Sequence, residues 1–369
     1  MAVYFLSYAL LFAYGCLVKT AFTDEKQINK RIAFVAFGLL FLLLALRHPS
    51  MGIDLGYGED LGYLSSFQIL NEYPLEEVRN IDGIRPYETG YVYFNILVGK
   101  LSTHPQALLI ACAALSVLPI GWAIGHESDD AGFSAVIYAA LPCALLAFST
   151  LRQAIALGLL MLALCCVIRR RPVPFLLLVV LAAQFHKSAY LFLLAYPVYY
   201  VPVNFNWRLV SLAVLGLLYA LRFRLYSLVG LFSRAYGEPD GNGSYHLLLL
   251  YVLLYVFCVI YQHYEHGNPD RSGDERQING LMNVFYCACA CQVLGGVHNV
   301  ATRLGYAFTL SLPLLLPLLI ARLRTERDRV LYRGLWMLFF VAFALYGLRS
   351  AEWAMANPYY WFWQTPPGL

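Results

Sequence analysis

Apolar runs of about 15 to 22 residues recur from one end of this chain to the other, separated only by short charged clusters. A helix rising ~1.5 Å per residue needs ~20 such residues to cross ~30 Å of hydrocarbon. In hydrocarbon every backbone N–H and C=O must be satisfied within the segment, so a chain built this way is restricted to helices. The charge content agrees: 13% of the 369 residues are charged, about half the ~25% of soluble domains. The expected architecture is therefore an all-α, polytopic integral membrane bundle. No long polar linker divides it, so residues 1–369 read as one transmembrane domain.

Several function classes drop out. No basic run with interleaved aromatics suggests nucleic acid, and no P-loop, dinucleotide fingerprint, nucleophile elbow or metalloprotease motif is present. Residues 1–18 lack the basic start of a signal peptide and read as the first span. The nine cysteines fall in apolar runs without CxxC or Cys/His spacing, which suits small packing residues. No metal site and no cofactor are expected.

Twelve spans follow from the hydropathy: 2–18, 31–46, 105–124, 132–148, 152–168, 173–187, 188–201, 208–222, 246–263, 278–296, 302–321 and 329–349. Short basic loops stay in the cytoplasm, which places Lys26–Arg31, "IRRRP" (168–172) and "RLRTERDR" (322–329) inside. These anchors agree only if an even number of crossings separates Asp54 from Arg152. Three apolar segments lie between them, so one does not cross. The weakest is 88–101, "ETGYVYFNILVGKL", which reads as a re-entrant or interfacial helix on the outer side. Both termini then lie outside, and the outer loops 47–104 and 223–245 are expected to contribute to a site.

That bookkeeping gathers the polar interruptions of the spans on one face. Arg47, Asp54, Glu88, Arg152, Gln153, His186, His298 and Arg303 all fall at outer ends of spans or in outer loops, whereas the inner turn "HESDD" (126–130) looks like an ordinary topology signal. Ionisable residues at membrane depth are costly and usually functional. Arg152 sits in a hairpin, "FSTLRQAIA", where Ser or Gly would serve; Arg303 lies about one turn into an apolar helix. Each alone could be an arginine snorkelling to the interface. Glu88, in the first turn of its helix, could simply complement the dipole. Together, three arginines, a carboxylate and a histidine suit a lipid-linked phosphate. Arginine forks hold phosphates bidentately and stabilise charge on a leaving diphosphate, and a carboxylate can deprotonate an acceptor hydroxyl.

The ordered set "R…MGIDL…GYLSSF…YETGY…FSTLRQAIA…FHKSA…R…Y" resembles the EpsG family of bacterial polysaccharide polymerases, which includes Wzy-type O-antigen and capsule polymerases. The matching residues are Arg47, Gly52, Asp54, Tyr63, Phe67, Glu88, Gly90, Tyr91, Arg152, Gln153, Ala156, His186, Ser188, Arg303 and Tyr306. The resemblance implies a glycosyltransferase of the bacterial cytoplasmic (inner) membrane, working on its outer face. Both donor and acceptor are oligosaccharides on undecaprenyl diphosphate, and undecaprenyl diphosphate is released. A flippase and a chain-length regulator are further candidate partners. On this reading Asp54, Glu88 and His186 are catalytic, with Asp54 the preferred base and Glu88 second; Arg47, Arg152, Gln153, Arg303 and His298 bind diphosphate, Arg47 also assisting or orienting Asp54. The doubled "GxDLGY" leaves Asp60 as a rival to Asp54. A lipid-linked oligosaccharide flippase, or a transferase adding a single sugar from a polyprenyl phosphate, are the alternatives.

Overall fold

In the computed structural model the residues described are 1–56, 62–78, 87–232, 244–265, 274–349 and 355–366. Asp60 and residues 233–243 of the 223–245 loop lie outside them. The chain begins with α1 (Ala2–Ala21), α2 (Glu25–Ala45), α3 (Tyr63–Glu72), α4 (Leu75–Val78), α5 (Thr89–Leu101) and α6 (Pro105–Glu127). α7 (Ala131–Ala140), α8 (Pro142–Leu146), α9 (Leu151–Ile168), α10 (Pro172–Ala183) and α11 (Ala195–Tyr199) follow. The remainder is α12 (Phe205–Ala220), α13 (Arg222–Phe232), α14 (Tyr245–Glu265), α15 (Glu275–Gly295), α16 (Tyr306–Thr309), α17 (Leu312–Ala321) and α18 (Glu326–Arg349). Short 3₁₀ turns fill Ile53–Leu55, Lys187–Leu194 and Asn299–Leu304. Among the described residues the only β pairing is an isolated bridge between Arg47 and Trp361.

The polar residues between apolar runs start the helices. Asp24, Asp130 and Asn204 accept from the backbone N–H of Lys26, Phe133 and Trp207 at 3.0 Å each, and His104 accepts from Gln106 N–H at 3.1 Å. Each capped group is one of the orphan donors of a helix N-terminus. α9 lies at the centre, with 72% of its span buried, while α1 and α18 are buried over only 11% and present Leu and Phe outward.

The all-α membrane architecture is as expected; the count of twelve crossings is not matched by helix length. Among the described residues seven helices are long and apolar enough to span a membrane, or eight if α12 and α13, bent by 72°, form one broken span. The expected span 132–148 splits where Pro142 has no N–H to continue α7. α10, at 12 residues, rises only ~18 Å. The chain then returns antiparallel to it: Phe175 packs on Tyr196 at 5.2 Å, and the Tyr200 hydroxyl donates to the Val167 carbonyl.

Polar contacts separate into two ends. At one, Asn29 donates to the carbonyls of Ser128 and Asp129. There Arg169 pairs with Glu127, Arg322 with Asp129 and Asp274, and Arg333 with Asp130. The "HESDD" turn is thus a receiver for three arginines rather than a bare topology signal. At the other end the Met1 ammonium donates to Asn357 Oδ1 at 3.3 Å, bringing the two terminal regions together, and His48 N–H donates to the Tyr360 carbonyl at 2.8 Å. α5 begins at this second end through Glu88. The helix that follows it also begins there, since the Gln106 amide donates to the carbonyls of Ala45 and Arg47. α5 therefore starts and finishes at one end and does not cross. It turns Tyr93, Leu97 and Leu101 outward, an apolar stripe at i, i+4, i+8 suited to the membrane interface.

Candidate active site

The second end carries the cluster. Arg152, in the first turn of α9, forms an ion pair with Glu88 Oε2, and its Nε–H donates to the Tyr63 hydroxyl at 3.2 Å. The guanidinium lies over the Tyr87 ring at 4.8 Å from its centroid and near that of Tyr63 at 5.8 Å; the two rings stack at 5.6 Å. A cation framed by two aromatic faces and a carboxylate is fixed in orientation. Glu88 is held in turn: its other oxygen accepts from the Lys187 N–H at 3.2 Å.

His186 is on the opposite flank of Glu88. Its Nδ1 lies 3.9 Å from Glu88 Oε1 and, although buried, has no hydrogen-bond partner. Burial pushes the imidazole below its ordinary 6.5, the charges of Arg152 and Arg303 push the same way, and Glu88 opposes them. His186 is therefore neutral at pH 7, with a nitrogen open to a proton or a hydroxyl. Arg303 enters through the backbone: the Gln153 side-chain amide donates to its carbonyl at 3.0 Å, tying α9 to the 3₁₀ turn before α16.

Local sequence explains the assembly. The Glu88 helix meets the end of α10 so closely that a Cβ on Gly90 would come within 2.5 Å of Gln184 Cβ, and the Tyr91 N–H donates to the Gln184 carbonyl at 3.1 Å. "YETGY" thus docks against "QFHKS" and delivers Glu88 to His186. The Asp54 segment is pinned to the start of α9: Ile53 N–H donates to Ser149 Oγ at 3.1 Å. Gly52 has φ +131°, and a Cβ there would lie 2.1 Å from the Phe148 carbonyl oxygen, so only glycine fits. Asp54 is half-buried, near enough for its charge to act on the Tyr63 hydroxyl.

Of the expected site residues, Glu88, Arg152, Gln153, His186 and Arg303 are brought together, and Asp54 adjoins them through Tyr63. Arg47 is different. It is 1% exposed, and its guanidinium donates to the carbonyls of Leu44 and Phe148 at 3.0 Å each. That placement suits the expected part in orienting Asp54: Arg47 closes the end of α2 onto the Ser149 turn and so supports the Asp54 segment, while two of its guanidinium nitrogens are taken by carbonyls. His298 stacks on Tyr226 of α13 at 5.8 Å. Tyr63 and Tyr87, which frame the guanidinium, stand in the motifs "GYLSSF" and "YETGY" that carry the resemblance, but neither is assigned a role there. The nine cysteines are free, and all but Cys16 are buried or half-buried.

The profile described as "EpsG family" matches residues 30–361, nearly the whole chain. The "EPS I polysaccharide export inner membrane protein EpsF" of Ralstonia solanacearum is 33% identical over 160 residues, 40% of this chain and 37% of that relative. The matched part therefore spans well under half of that protein's length. No solved structure matches.

Proposed function

The chain belongs to the EpsG family, and from that premise we propose that it is a polysaccharide polymerase of the bacterial inner membrane. It joins oligosaccharide repeat units carried on undecaprenyl diphosphate, at the membrane's outer face. The observation that carries this reading is Arg152, a permanent cation clamped by Glu88 and Tyr63 beside Arg303, at one end of a membrane bundle. Such forks suit the phosphates of a lipid diphosphate and the charge that grows on them as it leaves.

In the proposed step an acceptor sugar hydroxyl attacks the anomeric carbon of the donor glycan. The new C–O bond forms as the bond from that carbon to the phosphate oxygen breaks. The electron pair goes to the diphosphate, and the hydroxyl proton goes to a carboxylate. Asp54 is the preferred base, because Glu88 is already committed to Arg152 and the Lys187 N–H. Neutral His186 relays the proton or donates to phosphate.

The relative's name includes the word export, and a translocator would also carry charges in a membrane bundle. It would need a polar path open from both ends. The cluster here is confined to one, and the far end is laced by the pairs of Arg322, Arg333 and Arg169. In a strain lacking the native gene, Arg152→Lys and Arg303→Lys at unchanged protein level should each abolish chain extension, because a point charge does not replace a fork. Full activity in both would refute the assignment.

A further inference from the structure

A cavity of about 540 Å³ opens among α1, α2, α7, α8 and α18, within the ~300–1,000 Å³ range of ligand pockets. Most of its wall is hydrocarbon, including Leu11, Leu40, Leu145 and Phe343. Ala36, Ala135, Ala139 and Ala144 face it as well, leaving recesses between the larger side chains. Besides Ser7 and several tyrosines, its polar lining includes Ser244, His246, Thr302 and Arg303, of which Arg303 brings a permanent cation. Gly295 joins these residues, since its carbonyl accepts from Ser244 N–H at 2.9 Å and its Cα packs on Thr302. Thr302 is 3% exposed, and its hydroxyl has no partner. An apolar chamber that ends on a cation and an unsatisfied buried hydroxyl is shaped for an amphiphile with an anionic head.

Arg303 belongs to both this chamber and the Arg152 site: it lines the cavity, and its charge acts on His186. We propose that the cavity receives the isoprenoid chain of the lipid diphosphate, with Arg303 at the point where tail gives way to head. The inference rests on the proposed reaction for the identity of its ligand. The helices bounding the cavity include the two least buried spans, α1 and α18, so a lipid enters sideways from the bilayer without leaving hydrocarbon. Alanine recesses along the wall accommodate the methyl branches of an isoprenoid better than a smooth wall would. Once the tail is seated, the diphosphate is delivered to the side of α9 that carries Arg152.

The test uses the full-length protein in phospholipid nanodiscs and a polyprenyl diphosphate with a diazirine on its terminal isoprene unit, followed by peptide mapping. The expected result is labelling of α2, α7 and α18 peptides, removed by excess unlabelled undecaprenyl diphosphate. Ala36→Trp and Ala139→Trp, which fill the cavity, should each cut labelling at least fivefold and raise KM for a lipid-linked donor at least tenfold with little change in kcat. Labelling confined to other helices overturns the proposal. So does equal labelling by a diazirine phosphatidylglycerol that undecaprenyl diphosphate does not displace. The mapping needs no turnover, so the two readings fail separately. Competed labelling without any polymer refutes the polymerase and keeps the cavity; polymer made equally well by both Trp variants refutes the cavity and keeps the polymerase.

Discussion

Glu88 and Arg152 lie 64 residues apart in sequence and form one ion pair, with side chains only 10% and 18% exposed. The pair joins a helix that does not cross the bundle to the most buried helix that does. Removing one partner leaves the other charge half-desolvated. A double-mutant cycle of Glu88→Gln and Arg152→Gln should therefore give a coupling of about 1 to 3 kcal/mol, between the values of exposed and fully buried pairs. Thermal unfolding of the purified variants measures it; additivity within error would show that the two side chains do not depend on each other.

His186 supplies a pH dependence. It lies in the turn after α10, outside the spanning helices, and burial with Arg152 and Arg303 lowers its pKa from 6.5 to about 4. The unfolded chain therefore takes up this proton before the folded one, and stability from this group falls as pH drops from 6.5 toward 4. Activity that needs the neutral imidazole is lost only as the folded group titrates, near pH 4. His186→Gln should be slower at pH 7, should flatten the stability profile below 6.5 and should remove the activity loss near pH 4. An unchanged acid limb in the variant would assign that limb to another group.

Arg47 separates support from ligand binding. Its guanidinium satisfies the carbonyls of Leu44 and Phe148, and an unsatisfied buried carbonyl costs about 1–3 kcal/mol. Arg47→Lys should lower the unfolding temperature while leaving KM for the lipid-linked donor within twofold for the folded fraction. A large rise in KM at unchanged stability would return Arg47 to the diphosphate.

How much of this was legible in the chain depends on the kind of signal. Hydropathy fixed where helices lie, because backbone satisfaction in lipid leaves no other choice. Helix length does not by itself confirm the count of twelve: α10 and the segment after it run from the Arg169 end to the His186 end and back, yet each is built of pieces shorter than a continuous spanning helix. The parity of the basic loops correctly singled out 88–101 as non-crossing, and so placed Glu88 with Arg152. The ion pair itself was not legible, since nothing local links residues 64 apart. Arg47 was ambiguous for a similar reason: a charge that caps a helix by bonding carbonyls and one that awaits a substrate look identical in sequence. That Tyr63 and Tyr87 frame Arg152 was not legible among 28 tyrosines.

The doubled hexapeptide yields a direct comparison. Asp54 is tethered to the start of α9 through Ile53 and Ser149. Asp54→Asn should reduce chain extension at least 100-fold at normal protein level, and Asp60→Asn should reduce it less than fivefold. The reverse pattern, read from polymer length on gels, would move the base to Asp60.

The central claim is that the Arg152 end of this bundle polymerises lipid-diphosphate-linked repeat units. Its most direct test is reconstitution of the purified protein in liposomes with a purified undecaprenyl-diphosphate repeat unit, followed by product sizing. The account predicts a ladder spaced by one repeat unit, with one undecaprenyl diphosphate released per rung, lost in Arg152→Lys. A single added sugar, or movement of the intact lipid across the bilayer without any ladder, would contradict it.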